Sequence, residues 1–155
     1  MNMILAGILY HVKDEAKSYG IFRKVLYYMR DIYLDSFRKC YVHINRIEEL
    51  IKQHIFDVYM ALGNLEIELH MICLPWVLSL LTSIVPLDSI HLIYEGFMKD
   101  KWNFIYRVCL SVFVYFKERI REATEASEVL MMFSAGQEEF KEIDWEDIIK
   151  YGETI

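Results

Sequence analysis

The chain has 155 residues, 55% of them hydrophobic and 15% aromatic, which is enough apolar side chain for one domain with a real core and too much for a disordered segment. Its net charge is −6, and most of the excess lies between Glu138 and Glu153, where seven acids meet only Lys141 and Lys150. The remainder is nearly balanced and shows no basic stripe along the sequence, which argues against a nucleic acid as partner.

Six glycines and two prolines leave little turn chemistry, so long helices are expected. Residues 3–12 predict a helix with Ile4, Leu5, Ile8, Leu9 and Val12 on one face, and residues 14–29 repeat the pattern with Phe22, Val25, Leu26 and Met29. An irregular link is expected at Arg30–Leu34. Phe37, Cys40, Ile44, Ile47 and Ile51 then step by three and four, the stripe of a core-facing helix. A helix near 54–62 ends at the Gly63-Asn64 turn. Pro75 should end or kink a helix beginning near Glu66, and Trp76–Ile84 a second one. Pro86 opens a third that reaches about Lys99, with Ile90, Ile93, Tyr94 and Phe97 on one side. Residues 102–121 predict the longest helix, 125–134 a shorter one, and Asp144 the N-cap of a last turn through Ile149. Strand alternation is missing, so the fold class is all-α, a multi-helix bundle.

Leu69–Leu87 carries no formal charge over nineteen residues, close to the length of a membrane span. Pro75 and Pro86 cut it into pieces of about ten, the length of core helices, so an integral membrane protein is not expected. No Lys or Arg precedes Lys13, so the basic start of a secretory leader is missing. Cys40, Cys73 and Cys109 are odd in number and far apart, which suits buried reduced thiols. Glu66 and His70 stand four apart and read as a surface pair rather than metal ligands. His11, His43, His54 and His91 are isolated along the chain. No cofactor and no metal site is expected.

Leu74-Pro75-Trp76-Val77-Leu78-Ser79-Leu80-Leu81, then Pro86-Leu87, then Leu92-Ile93-Tyr94-Glu95, resembles the second half of a TBC domain, the GTPase-activating domain for Rab proteins. That family shows L-P-W followed by a leucine-rich helix, then P-L, then R-x-W-D. Here Leu92, Tyr94 and Glu95 replace the arginine, tryptophan and aspartate, and the glycine that follows the motif has no clear match near Lys99–Lys101. Met1-Asn2, followed by Ile4, Leu5, Ala6 and Gly7, is similar to the residues just after the family's glutamine loop, Y-x-Q-G-hydrophobic-N.

The resemblance implies a single partial TBC-like domain over 1–155, with the N-terminal catalytic part absent and 136–155 forming an acidic tail with a short terminal helix. It implies a Rab GTPase as partner, with Asn2 and Trp76 as partner-binding residues, and a cytoplasmic protein in peripheral contact with trafficking membranes. The family's arginine, in I-x-x-D-x-x-R, and its glutamine, in Y-x-Q, carry the activity. Gln53 and Gln137 are the only glutamines here, and neither follows Tyr at that spacing. Ile32-Tyr33-Leu34-Asp35-Ser36-Phe37-Arg38 does spell I-x-x-D-x-x-R, but it follows the place of the glutamine loop, where the family's arginine precedes it. Arg38 is therefore expected on an ordinary helix face. This chain alone is expected to be inactive; the alternative is a non-catalytic helical interaction module. A bare apolar face is expected where a missing half would dock, most of all on Ile4–Val12.

Overall fold

The computed structural model describes residues 2–34 and 37–154, for Asn2 its backbone only. Ten helices are found among them and no strand: α1 (Asn2–Val12), α2 (Glu15–Leu34), α3 (Arg38–His54), α4 (Phe56–Asn64), α5 (His70–Ser79), α6 (Ile90–Tyr115), α7 (Lys117–Glu122), α8 (Ala126–Met132), α9 (Glu139–Glu142) and α10 (Trp145–Glu153). The all-α class is the observed one.

The expected link at Arg30–Leu34 is instead helical. Val25, Met29 and Ile32 keep a buried face at steps of four and three, so the same core that begins α2 carries it to Leu34. Tyr33 anchors that end by donating its hydroxyl proton to the Leu78 carbonyl at 2.6 Å. On α3 the stripe Cys40, Ile44, Ile47 and Ile51 is buried, but Phe37 is not; it precedes the helix with φ 63° and stays exposed.

The Leu-Pro-Trp region departs most from expectation. Glu66 adopts φ 56°, so the helix starts at His70 and carries Pro75 inside it. The expected Trp76–Ile84 helix stops at Ser79, where Leu80 and Leu81 turn left-handed at φ 52° and 64°. Such conformations cost a branched side chain about 1–2 kcal/mol. Both leucines are fully buried, worth about 2 kcal/mol each, and the Leu81 amide bonds back to the Trp76 carbonyl at 2.8 Å.

Helix α6 is two helices joined at a sharp break. Lys101 has φ 55° and ψ −135°, a region that suits glycine. The break folds the second half back so that Phe104 lies on Gly96; a Cβ at position 96 would stand 2.2 Å from the Phe104 ring. The expected 102–121 helix ends at Tyr115, and Lys117–Glu122 forms the separate α7, held to α4 by Asp57, which meets Lys117 at 3.0 Å and Arg121 at 3.6 Å.

Asp144 caps α10 as expected, its Oδ1 accepting from the amides of Glu146 at 3.0 Å and Asp147 at 3.3 Å. The helix runs on to Glu153 rather than stopping at Ile149, because Trp145, Ile148 and Gly152 are buried and the helix packs on α6. A Cβ at Gly152 would meet Ser111 Oγ at 3.0 Å. The acids of this segment line its outer side while its apolar side is core.

The backbone at Lys101 yields a stability test. Gly and Ala at this position both lose the side chain, and only Gly relaxes the φ. Lys101→Gly should be more stable than Lys101→Ala by about 1–2 kcal/mol in urea denaturation; equal stabilities would show that the break carries no strain.

Candidate functional site

Ile4 and Gly7 from the start of the chain meet Tyr94 where α1 crosses the first half of α6. Tyr94 is buried and donates its hydroxyl proton to the Ile4 carbonyl at 3.0 Å. Gly7 makes the approach possible, since a Cβ there would lie 2.7 Å from Tyr94 Oη. Burial pushes the Tyr94 hydroxyl well above its usual pKa, so it remains a donor. The far end of α1 is tied down as well. Tyr10 donates to Asp88 Oδ1 at 2.7 Å, and His11 Nε2 meets the Leu87 carbonyl at 2.6 Å. Helix α1 is thus clasped at both ends to residues 87–94.

This clasp corrects two expectations. Ile4, Gly7 and Ile8 are buried against α2 and α6, so the apolar side of α1 is not bare; Met3, Leu9 and Tyr10 are what it exposes. His11 and His91 are not isolated, since their ring centroids lie 4.7 Å apart. The fold brings together what eighty residues of chain separate. They sit beside an apolar cleft of about 310 Å³, also lined by Ile8, Val12, Tyr94 and Met98.

Asn2 opens α1, and its side chain lies outside the described residues. Trp76 is 1% exposed, its indole 5.5 Å from both the Phe113 and Phe133 rings. It sits in the middle of the core and presents no surface; its role in this arrangement is to hold α5 against α6. The same aromatic run continues through Phe116, Phe140 and Trp145, whose Nε1 donates to the Phe140 carbonyl at 3.0 Å. Of the motif departures, Tyr94 is core, Leu92 is half-buried and Glu95 is exposed. Asp35 and Ser36 of the I-x-x-D-x-x-R match lie outside the described residues, and Arg38 is exposed at the start of α3.

Glu66 and His70 do not share a helix face, because α5 begins only at His70; its Nδ1 pairs with Glu68 at 3.1 Å instead. Among the described residues no three His, Cys, Asp or Glu side chains converge as a metal site. Cys40, Cys73 and Cys109 are buried free thiols, and burial raises the pKa of each, which keeps them protonated and unreactive. No described helix is long and apolar enough to cross a membrane.

His43 was also hidden from the linear chain. Its ring stacks on Trp102 at 3.8 Å and its Nδ1 meets Tyr106 Oη at 2.6 Å. Burial lowers its pKa to about 4.

Residues 1–121 match the Rab-GTPase-TBC domain family. The chain belongs to that family. It is 25% identical over 114 residues to the Rab GTPase-activating protein tbc-11 of Caenorhabditis elegans, an alignment covering 72% of this chain and 12% of that protein. It is 23% identical over 121 residues to the Rab GTPase-activating protein eat-17 of the same organism, covering 77% of this chain and 13% of the relative. The TBC chain therefore spans only a small part of the length of these relatives. The match covers α1 through nearly all of α7, so the clasp and the Leu-Pro-Trp core both lie within it.

Two tests follow from this packing. Trp76→Ala should destabilise the TBC domain by about 3–5 kcal/mol in urea denaturation, as removal of a large core side chain does; a loss below about 1 kcal/mol would mean that the indole is not core. The His43 pKa near 4 in the folded state lies below the usual 6.5. Between these values the unfolded chain binds the extra proton, so stability is complete above about pH 6.5 and falls as pH drops toward 4. His43→Gln should flatten that slope in pH-dependent urea melts; an unchanged slope would assign it to other groups.

Proposed function

We propose that this domain forms the C-terminal part of a Rab GTPase-activating unit, contributing to the groove that receives the GTPase, and that it is inactive without an added arginine and glutamine. The match of residues 1–121 to the Rab-GTPase-TBC domain carries this reading. Both C. elegans relatives named above are Rab GTPase-activating proteins. The whole chain holds no Tyr-x-Gln, and its one I-x-x-D-x-x-R segment, ending at Arg38, stands in the wrong order for the family's arginine.

The clasp gives α1 a purpose. A glutamine loop joined at Asn2 would lead into a helix whose first turn is held by Tyr94 and whose last is held by Asp88 and Leu87. Fixing a water-positioning side chain within a fraction of an ångström is what such a support supplies. In this proposal Asn2 contacts the GTPase directly, while Trp76 acts through packing. Residues 1–155 work as one unit, with 136–155 as its acidic end. The partner is a Rab-family GTPase, and the protein is cytoplasmic, meeting trafficking membranes peripherally.

A second reading has its own support. Leu92, Tyr94 and Glu95 replace the family's arginine, tryptophan and aspartate, and Tyr94 is used for packing α1. A domain so altered serves as a non-catalytic interaction module.

Single-turnover GTP hydrolysis by a panel of Rab GTPases separates the two. The chain alone should leave the rates unchanged. A chimera in which a relative's N-terminal segment, with both catalytic side chains, precedes Asn2 should raise one of them by about 10³-fold or more. Acceleration by the chain alone would refute the missing-residue argument. A folded but inactive chimera that still binds a Rab would favour the interaction module.

A further inference from the structure

Helix α2 carries Tyr19, Arg23, Tyr27 and Arg30 at steps of four, four and three, so they form one stripe on its outer side. All four are exposed. The Arg23 guanidinium lies 5.9 Å from the Tyr19 ring centroid, and that of Arg30 lies 5.9 Å from the Tyr27 ring. Beside the stripe, Tyr28 faces the break in α6, and Lys101 Nζ sits 4.0 Å from its ring centroid. A cleft of about 530 Å³ lies between them, lined by Arg23, Lys24 and Lys101 with Tyr27, Tyr28 and Met98. No acid is among its described lining residues.

The charge here is segregated from the rest of the molecule. Contrary to the expectation of no basic stripe, residues 16–30 hold Lys17, Arg23, Lys24 and Arg30 and no acid, a local run that the near balance of the longer stretch conceals. With Lys101 they make five of the chain's 17 basic residues, leaving twelve against all 23 acids elsewhere. The nearest acids are taken up by other cations or lie to one side: Asp14 pairs with Lys17 at 3.8 Å, and Asp100, next to Lys101, pairs with Arg107 at 2.6 Å. Asp31 pairs with Arg30 at 3.5 Å and with Lys39 at 2.9 Å, and Glu95 shares the neighbouring apolar cleft with Lys24. Arg23, Lys24 and Lys101 are thus the cations that look into the basic cleft.

A second observation is geometric. Lys101 occupies a backbone conformation that glycine adopts without strain, and its side chain points into this cleft. Its Nζ donates to the Met98 carbonyl and lies over the Tyr28 ring, which fixes the charge at the edge of the cleft.

We infer that this face seats the domain on an anionic phospholipid surface, with Arg23, Lys24 and Lys101 meeting lipid phosphates and Tyr19 and Tyr27 lying at headgroup level. Tyrosines interleaved with Arg and Lys are the side chains that suit the boundary between water and acyl chains. The stripe from Tyr19 to Arg30 extends about 17 Å along the outside of α2. Cations interleaved with tyrosines on an open face, with no acid among the described lining of the cleft, complement a layer of anionic headgroups.

The test is sedimentation of the full chain, with no GTPase present, on vesicles of phosphatidylcholine alone and of phosphatidylcholine with about one-third phosphatidylserine. Because no GTPase is present, the result stands apart from the Rab reading. The chain should pellet only with the anionic vesicles and be released by high salt. R23E/K24E should lose more than about tenfold in binding, and Lys101→Gly, which keeps or relaxes the fold, about fivefold. Urea melts of both variants check that the domain is intact. Equal pelleting on both vesicles, no pelleting on either, or binding untouched in both folded variants would overturn the inference. Binding to poly-glutamate but not to vesicles would also overturn it, assigning the face to an acidic polypeptide.

Discussion

The break at Lys101 is the constraint on which the rest of the molecule depends. Helices α1, α2, α3, α7 and α10 all pack on α6, so the angle between its two halves decides where each of them stands. That angle is set by steric contact: Phe104 rests on the bare backbone of Gly96, and no other residue type leaves room for it. The left-handed turn at position 101 is the cost of bringing those halves together, and it falls on a lysine rather than a glycine.

The two halves of α6 do different work. The first half receives α1 through Tyr94 and Gly7 and carries His91 and Glu95 along the same side. The second half supplies Phe113 to the aromatic core around Trp76 and Phe133 and receives α10 at Ser111 and Gly152. The helices are held together by interlocked aromatic rings rather than by polar networks. The ion pairs, such as Asp57 with Lys117, lie at least partly in solvent, where each contributes less than about 1 kcal/mol.

The motif departures make sense in this frame. Tyr94, where the family motif has tryptophan, is a buried donor to α1. Just past the motif, Lys101 takes dihedrals that glycine adopts without strain. The same lysine reaches Tyr28 on α2, which couples the break to the exposed basic face of that helix.

Most helices were legible in the chain because burial follows a 3.6-residue period: α2, α3 and both halves of α6 each show it, and Asp144 announces α10 by the hydrogen bonds its carboxylate can accept. The family resemblance was legible too, since Leu74-Pro75-Trp76 and Pro86-Leu87 are local signatures. What the linear chain could not decide were places where distant contacts override local preference. Leu80 and Leu81 end a helix that their own propensity favours, because turning left-handed buries both. Trp76 is core rather than surface only because Phe113 and Phe133 close over it. The pairing of His11 with His91, the sealing of α1 by Tyr94 and the meeting of Lys101 with α2 all join residues seventy to ninety positions apart. Periodicity within a helix is a property of neighbours in the chain and can be read there. Which helix face meets which is settled only when all of them compete for the same core.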